Sequence, residues 1–229
     1  MREIEDVQWT GALKVYDFAM RVPVIAFTLF FVMRETASLR LIVAPHPYFA
    51  GDWPFFATVA SRVSVIVFLV LLAALHALRR RPVRKYDSVR PKIAALLGVL
   101  LPYLMLLLSR APVNPIWDAG SAALVLAGNI VCIVAVLDLG RSLSVMPEAR
   151  QLVTEGLYGR IRHPLYLAEA VAVLGVFLQF RSLAAAGIVA AQYYFQLRRM
   201  HWEEGMLSSA FPDYQAYCKR SHRLIPGIY

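Results

Sequence analysis

Two short stretches of the chain combine charged and aromatic residues at a spacing that could support chemistry. Residues 156–166 read Gly-Leu-Tyr-Gly-Arg-Ile-Arg-His-Pro-Leu-Tyr, and residues 199–204 read Arg-Met-His-Trp-Glu-Glu. The residues between them form two apolar runs that could fold as a helical hairpin, which would bring both stretches to the same membrane surface. A basic and aromatic turn that faces a pair of acids at a lipid interface is typical of a site rather than of a scaffold.

The first stretch has the features of an anion-binding turn. Proline is favoured at the first position of a helix, so Pro164 predicts a helix that begins there. The N–H groups of a first helical turn attract anions, and His163 precedes that turn while Arg162 adds positive charge. Tyr158 and Tyr166 offer aromatic faces with hydroxyl groups. The turn therefore favours a carboxylate or phosphate beside a flat ring; alternatively, it only anchors a helix to lipid headgroups.

The second stretch carries an acidic pair that needs a positive partner. Glu203 and Glu204 follow the second apolar run, and acids at the C-terminal end of a helix oppose its dipole. Either the arginines at 198 and 199 or a bound cation should compensate this negative charge.

The composition predicts a membrane protein. Of the 229 residues, 59% are hydrophobic and 17% are charged, whereas soluble domains are roughly 25% charged. The formal charge of +9 comes from residues that flank apolar runs, which favours lipid headgroups over nucleic acid as the partner. Cys132 and Cys218 have no Cys/His spacing typical of zinc, so we expect no metal site.

The apolar runs predict an all-α integral membrane protein with four transmembrane helices, a C-terminal membrane hairpin and a cytosolic tail. We expect residues 1–150 to hold the transmembrane helices and residues 151–229 to form the functional core. A kink is expected at Pro102, inside the third span. The predicted spans are residues 18–33, 56–78, 93–109 and 119–139, and the predicted hairpin arms are residues 165–180 and 183–197.

The charges of the loops predict the orientation of these spans. The loop at residues 79–92 is the richest in lysine and arginine, so it should lie in the cytoplasm. The loops at residues 34–55 and 110–118 should then lie outside. Both termini and both chemical stretches face the cytoplasm in this arrangement, and we expect the bacterial inner membrane as the location.

Further motifs complete a pattern that resembles a known family. The pattern Gly-x-Tyr-x-x-x-Arg-His-Pro-x-Tyr is followed by Glu-Glu, by Phe-Pro-Asp-Tyr-x-x-Tyr at residues 211–217, and by Arg-Leu-Ile-Pro at residues 223–226. Each piece alone is weak, but together they resemble the isoprenylcysteine carboxyl methyltransferases and their bacterial relatives. Phospholipid N-methyltransferases share the core motif. The resemblance covers residues 152–226.

The resemblance implies a membrane enzyme that uses S-adenosylmethionine without a Rossmann domain, and the chain has no GxGxxG motif. It places Arg199 and Glu204 beside a lipid or prenylated methyl acceptor, with methyl transfer to a carboxylate oxygen favoured. The residues that it implies for the cofactor are Tyr158, Arg162, His163, Pro164, Tyr166 and Glu203.

Other functions remain open at this point. The family often has Val-Pro where this chain has Ser-His at residues 221–222, so the acceptor could be a carboxylate, an amine or another lipid group. Membrane sterol reductases resemble the C-terminal region as well, and the extra phosphate of NADPH would suit Arg160 and Arg162. A third possibility is a non-catalytic protein that binds headgroups. We favour methyl transfer because an acidic pair suits a sulfonium better than a polyphosphate.

Overall fold

The structure is a computed structural model that describes residues 4–6, 11–44, 53–86 and 88–227. Most of these residues are helical, as predicted. By length and apolar composition, four helical segments could cross a membrane: Arg21–Val43, Phe55–Leu78, Val89–Leu107 and Pro115–Ser142. The helices are α1 (Gly11–Val43), α2 (Trp53–Leu78), α3 (Val89–Leu100), α4 (Pro115–Leu139), α5 (Pro164–Phe177), α6 (Leu183–Ala210) and α7 (Tyr214–Arg220).

The first helix is longer than the sequence predicts. The apolar run predicts a span that ends at residue 33 and a loop from residue 34, but α1 continues to Val43. Arg34 and Glu35 do not break the helix because Arg34 donates to Glu35 at 2.7 Å and Arg62 of α2 also donates to Glu35. Residues 45–52 of the predicted loop lie outside the described residues.

Pro102 changes the type of helix. The α-helical hydrogen bonding of α3 ends at Leu100, and a 3-10 segment continues from Leu101 to Leu107. Proline has no N–H to donate and clashes with the preceding turn, which accounts for the change in hydrogen bonding at this position. The kink itself stays a prediction.

A small antiparallel sheet corrects the expectation of an all-α fold. Its strands are β1 (Ile4–Asp6), β2 (Arg84–Tyr86) and β3 (Glu148–Ala149), in that order. Arg84 pairs with Ala149, and Lys85 pairs with Glu148. Strands of two or three residues are too short to leave an alternating pattern in the sequence, which is why the sheet was not predicted. The sheet packs against α6 and brings residues 148–150 to the C-terminal part of the chain.

The second hairpin arm is also longer than predicted. The apolar pattern predicts an end at residue 197, but α6 continues to Ala210. Arg199, Glu203 and Glu204 therefore lie inside the helix, and the expected conflict between two acids and a helix C-terminus does not arise. Glu203 pairs with Arg199 one turn earlier on the same helix, and Glu204 pairs with Arg162 of the preceding turn segment, which allows the helix to extend past its apolar section.

Close packing between α4 and α5 positions the turn that precedes α5. At Gly128, a Cβ atom would lie 2.6 Å from the backbone nitrogen of Ala172, so only glycine permits this approach. An apolar cluster formed by Tyr86, Ala149 and Met206 joins the sheet to α6. Residues from both predicted parts of the chain, 1–150 and 151–229, line the cleft described below. The division of the chain into these two parts stays a prediction.

Candidate active site

The turn at residues 156–163 is built on α4. Gly156 has a φ of +58°, and the chain then forms a short 3-10 turn from Gly156 to Gly159. The Leu157 N–H donates to Asp138 Oδ2 at 2.8 Å, near the end of α4. A side chain at Gly156 would collide with the same carboxylate. The helix α5 begins at Pro164, as the sequence predicts.

The last described residues pair with this turn. The N–H groups of Arg162 and His163 donate to the carbonyl oxygens of His222 and Arg223 at 2.8 and 3.2 Å. In the reverse direction, the His222 N–H donates to the Arg160 carbonyl at 2.9 Å. The two ends of the predicted motif, which are about sixty residues apart, therefore form one structural unit.

A buried tyrosine adds a third link. The Tyr217 hydroxyl donates to the Tyr158 carbonyl oxygen at 2.7 Å, and both rings are buried. Burial raises the pKa of Tyr217 to about 12, so the hydroxyl keeps its proton and remains a donor at neutral pH.

Glu204 holds this unit to α6. Its Oε1 lies 3.0 Å from Arg162 Nε and 3.3 Å from His163 Nε2, and its Oε2 lies 3.1 Å from Arg223 Nε. Burial alone would raise the pKa of Glu204, but the hydrogen bond with His163 and the surrounding positive charge lower it to about 2. The carboxylate is therefore ionised over the whole physiological range.

Glu203 belongs to a different group of side chains. Its Oε1 accepts the Tyr166 hydroxyl at 2.6 Å and the Arg199 Nε–H at 3.0 Å. The Arg199 guanidinium also lies over the Tyr166 ring, 4.9 Å from its centroid, and the His163 ring stacks on Tyr166 at 5.3 Å. Burial would lower the pKa of Arg199, but the nearby carboxylates raise it, so this guanidinium stays charged.

The structure therefore separates two residues that were predicted to act together. Arg199 and Glu204 were expected side by side at the methyl acceptor, but Arg199 pairs with Glu203, and Glu204 faces the turn. An α-helix turns by about 100° per residue, so position 203, four residues from Arg199, shares its face while position 204 does not.

A cleft lies between the turn, α6 and the segment at residues 142–153. Six of the eight predicted site residues line it: Tyr158, Arg162, His163, Tyr166, Arg199 and Glu203. The other two, Pro164 and Glu204, are not lining residues. Pro164 is the first residue of α5, and Glu204 holds the turn by accepting from Arg162.

Sequence reasoning missed two charged residues of the cleft, Glu148 and Arg150. Arg150 has no exposed side-chain surface, and its Nη2 donates to Glu148. Among the described residues, its buried Nε and Nη1 atoms have no hydrogen-bond partner. Burial lowers the pKa of Arg150. These residues reach the cleft because the small sheet pairs residues 148–149 with β2, and such long-range pairing leaves no motif in the local sequence.

An apolar chamber of about 270 Å³ adjoins the cleft. Leu143, Ser144, Leu165 and Arg199 line both spaces. Arg199 Nη2 donates to the Ser144 carbonyl at 3.1 Å, which fixes the guanidinium at the boundary. A charged cleft and an apolar chamber thus meet at one buried arginine.

Part of the chain is similar in sequence to known proteins. Two curated relatives are the cobalt-zinc-cadmium resistance protein CzcN of Cupriavidus metallidurans, 33% identical over 78 residues, and the nickel-cobalt-cadmium resistance protein NccN of Alcaligenes xylosoxydans xylosoxydans, 30% identical over 82 residues. These matches cover 34% and 35% of this chain, and the chain spans 36% and 38% of the length of the two relatives.

The family comparison covers most of α4, the turn, α5 and nearly all of α6. Residues 121–209 match the isoprenylcysteine carboxyl methyltransferase (ICMT) family. The match begins earlier than the motifs at residues 152–226, because it includes the helix on which the turn is built. This match supports the family resemblance that the motifs predict.

Proposed function

We propose that this protein is an integral membrane methyltransferase that binds S-adenosylmethionine in the cleft and methylates the carboxylate of a lipophilic acceptor. The observation that carries the proposal is the position of Arg199, which lines both the charged cleft and the apolar chamber. A methyl donor that is soluble in water and an acceptor that is soluble in lipid need such a meeting point.

The residues of the cleft fit the chemical groups of this cofactor. When bound, S-adenosylmethionine supplies an electrophilic methyl group on a sulfonium. The Glu203 carboxylate and the Tyr166 ring suit a cation. The two unpartnered nitrogens of Arg150 suit the carboxylate of the cofactor's amino-acid end, because a buried donor without an acceptor is costly. The Tyr158 ring adds an apolar surface for the adenine ring of the cofactor.

Arg199 would hold the acceptor carboxylate. Its Nε is engaged by Glu203 and its Nη2 by the Ser144 carbonyl, so the guanidinium is fixed in position before an acceptor arrives. A planar guanidinium binds a carboxylate with more directional control than an ammonium group does. Positioning is the main requirement here, since an ionised carboxylate needs no base to accept a methyl group.

Glu204 would act as a positioning residue rather than at the acceptor. It contacts Arg162, His163 and Arg223, and it is not among the lining residues of the cleft. An amine acceptor would need a base, and a carboxylate whose pKa is held at about 2 accepts protons poorly. This property favours a carboxylate acceptor over the amine used by phospholipid N-methyltransferases.

The reductase alternative is less well supported by the same contacts. NADPH would need a free cation for its extra phosphate, but Arg162 already donates to Glu204 and to the carbonyl oxygens of Cys218 and Ser221. Arg160 is exposed and is not among the lining residues of the cleft.

We further propose that the cleft faces the cytoplasm of a bacterial inner membrane, since the basic loop at residues 79–92 lies on the same side as the cleft in the predicted topology. The names of both relatives refer to metal resistance. Within the described ranges, no group of three or more His, Cys, Asp and Glu side chains is arranged to hold a metal ion.

A transfer assay tests the proposal. The purified protein in liposomes is incubated with S-adenosylmethionine that carries a tritiated methyl group and with an S-prenylated cysteine. The label should appear as a methyl ester of the free carboxylate, and alkaline hydrolysis should release it. The same compound with a blocked carboxyl group should stay unlabelled. Labelling of a phosphatidylethanolamine amine instead would contradict transfer to a carboxylate.

A further inference from the structure

The apolar chamber is polar at both ends. Arg199 lies at the end that meets the cleft, and three arginines line the opposite end. Between them, α2 lines the chamber from Arg62 to Leu72, which corresponds to about 15 Å of helix. The helix α5 lines it from Leu165 to Val176, or about 16 Å. The residues of this middle section are mainly aliphatic and aromatic, and the polar side chains among them include Asn129, Glu169 and Gln192.

The far end carries excess positive charge. Glu35 is buried and accepts from Arg34 and Arg62, and Arg110 lines the same end. Partial desolvation and the neighbouring cations Arg62 and Arg34 lower the pKa of Arg110, and Glu35 and Asp118 act in the opposite direction. The far end thus holds three guanidinium groups and one carboxylate. Elsewhere the largely apolar wall includes a second carboxylate, Glu169, which accepts from Gln196 Nε2 at 2.7 Å.

We propose that the chamber selects an acceptor with a second anionic group, located at the end of its apolar chain opposite the carboxylate that receives the methyl group. This inference rests on the proposed function and specifies its acceptor as a long-chain lipophile that is anionic at both ends. One anionic group lies at Arg199 and the other at the cluster formed by Arg34, Arg62 and Arg110. A chain that ended in hydrocarbon would leave that cluster facing apolar atoms, which is unfavourable for charged groups.

A simpler use for such arginines is contact with lipid headgroups at the membrane surface. Arg34 suits that use, because 40% of its side chain is exposed. Arg62 does not, because 19% of its side chain is exposed and it is tied to the buried Glu35. The position of Arg62 inside the chamber wall is what points to a ligand in the chamber.

Binding of two matched fatty acids tests the proposal. The probes are tetradecanedioate, anionic at both ends, and tetradecanoate, anionic at one end, each titrated into the wild-type protein in lipid nanodiscs. The variants are Arg62→Gln and Arg110→Gln. The control is Arg40→Gln, which removes an exposed arginine from the last turn of α1 that is not a lining residue. Partition of each probe into the bilayer is the same for every variant, so it cancels in the ratio of the two affinities.

The preference for tetradecanedioate should fall about tenfold in Arg62→Gln and Arg110→Gln, and change less than about twofold in Arg40→Gln. Stabilisation by S-adenosylhomocysteine should persist in all three variants and shows that they are folded. An unchanged preference in both chamber variants would overturn the proposal, as would a phospholipid that stays bound in the chamber and that tetradecanedioate does not displace. If S-adenosylhomocysteine fails to bind the wild type while the dianion preference holds, the proposed methyl transfer fails instead.

Discussion

Arg199 donates its Nε–H to the Glu203 carboxylate at 3.0 Å, one turn further along α6. This contact fixes a buried guanidinium at the boundary between the cleft and the chamber. Only 6% of the Arg199 side chain is exposed. The pair is therefore a buried contact that holds the guanidinium in place, and not an ion pair on the surface.

Substitution of Arg199 should abolish turnover without removing the cofactor. We expect Arg199→Ala and Arg199→Lys to lower single-turnover methyl transfer to a prenylated cysteine by roughly a hundredfold, since misplacement of a reacting group is that costly. The lysine variant fails because an ammonium group cannot reproduce the planar fork. Affinity for S-adenosylhomocysteine should change by less than about threefold.

Arg198→Ala is the matched control, because Arg198 is the neighbouring arginine and is exposed. It should keep normal turnover. Near-normal rates in both Arg199 variants would mean that the Arg199–Glu203 pair is only structural.

The role of Glu204 predicts a specific pH dependence. In the folded protein its pKa is about 2, below its ordinary value of 4.5, so its contribution to stability is complete above pH 4.5 and is lost as the pH falls towards 2. Glu204→Gln should therefore be less stable than the wild type by about 1–2 kcal/mol at neutral pH. That difference should shrink between pH 4.5 and 2 in thermal unfolding of the detergent-solubilised proteins. A difference that does not change with pH would show that Glu204 forms no charged contacts.

The turn should tolerate no side chain at residue 156. Gly156→Ala places a Cβ atom at a φ of +58° and against the Asp138 carboxylate, so it should cost about 1–2 kcal/mol and weaken S-adenosylhomocysteine binding. The control is Gly187→Ala on α6, where a Cβ atom would meet nothing within 4 Å. That variant should be neutral or slightly more stable. Equal melting temperatures and equal affinities in the two variants would contradict the proposed geometry of the turn.

The predicted orientation can be tested with single cysteines. Arg81 and Val113 are both exposed, and they lie in the loops predicted to be inside and outside. In a background without Cys218, an impermeant maleimide added to intact cells should label Val113→Cys and leave Arg81→Cys unlabelled. The reverse pattern would place the cleft on the outer side of the membrane.

Local sequence features predicted the turn well, and long-range contacts explain what they missed. Pro164 starts α5 because proline is favoured at a first helical position, which needs no knowledge of the remaining chain. Arg199 pairs with Glu203 only if the helix continues past residue 197. The apolar run ends at that residue, so the sequence pattern did not predict the continuation. Arg150 reaches the cleft through the pairing of residues 84–85 with residues 148–149, which a sequence without a strand pattern does not indicate.

The central claim is that the cleft bounded by the turn and Glu203 binds a sulfonium cofactor, and calorimetry on the purified protein tests it most directly. We predict that S-adenosylhomocysteine binds to the wild type and that NADPH does not. His163→Ala should weaken S-adenosylhomocysteine about tenfold, because His163 stacks on Tyr166 and contacts Glu204. Binding of NADPH together with no detectable binding of S-adenosylhomocysteine would contradict the account.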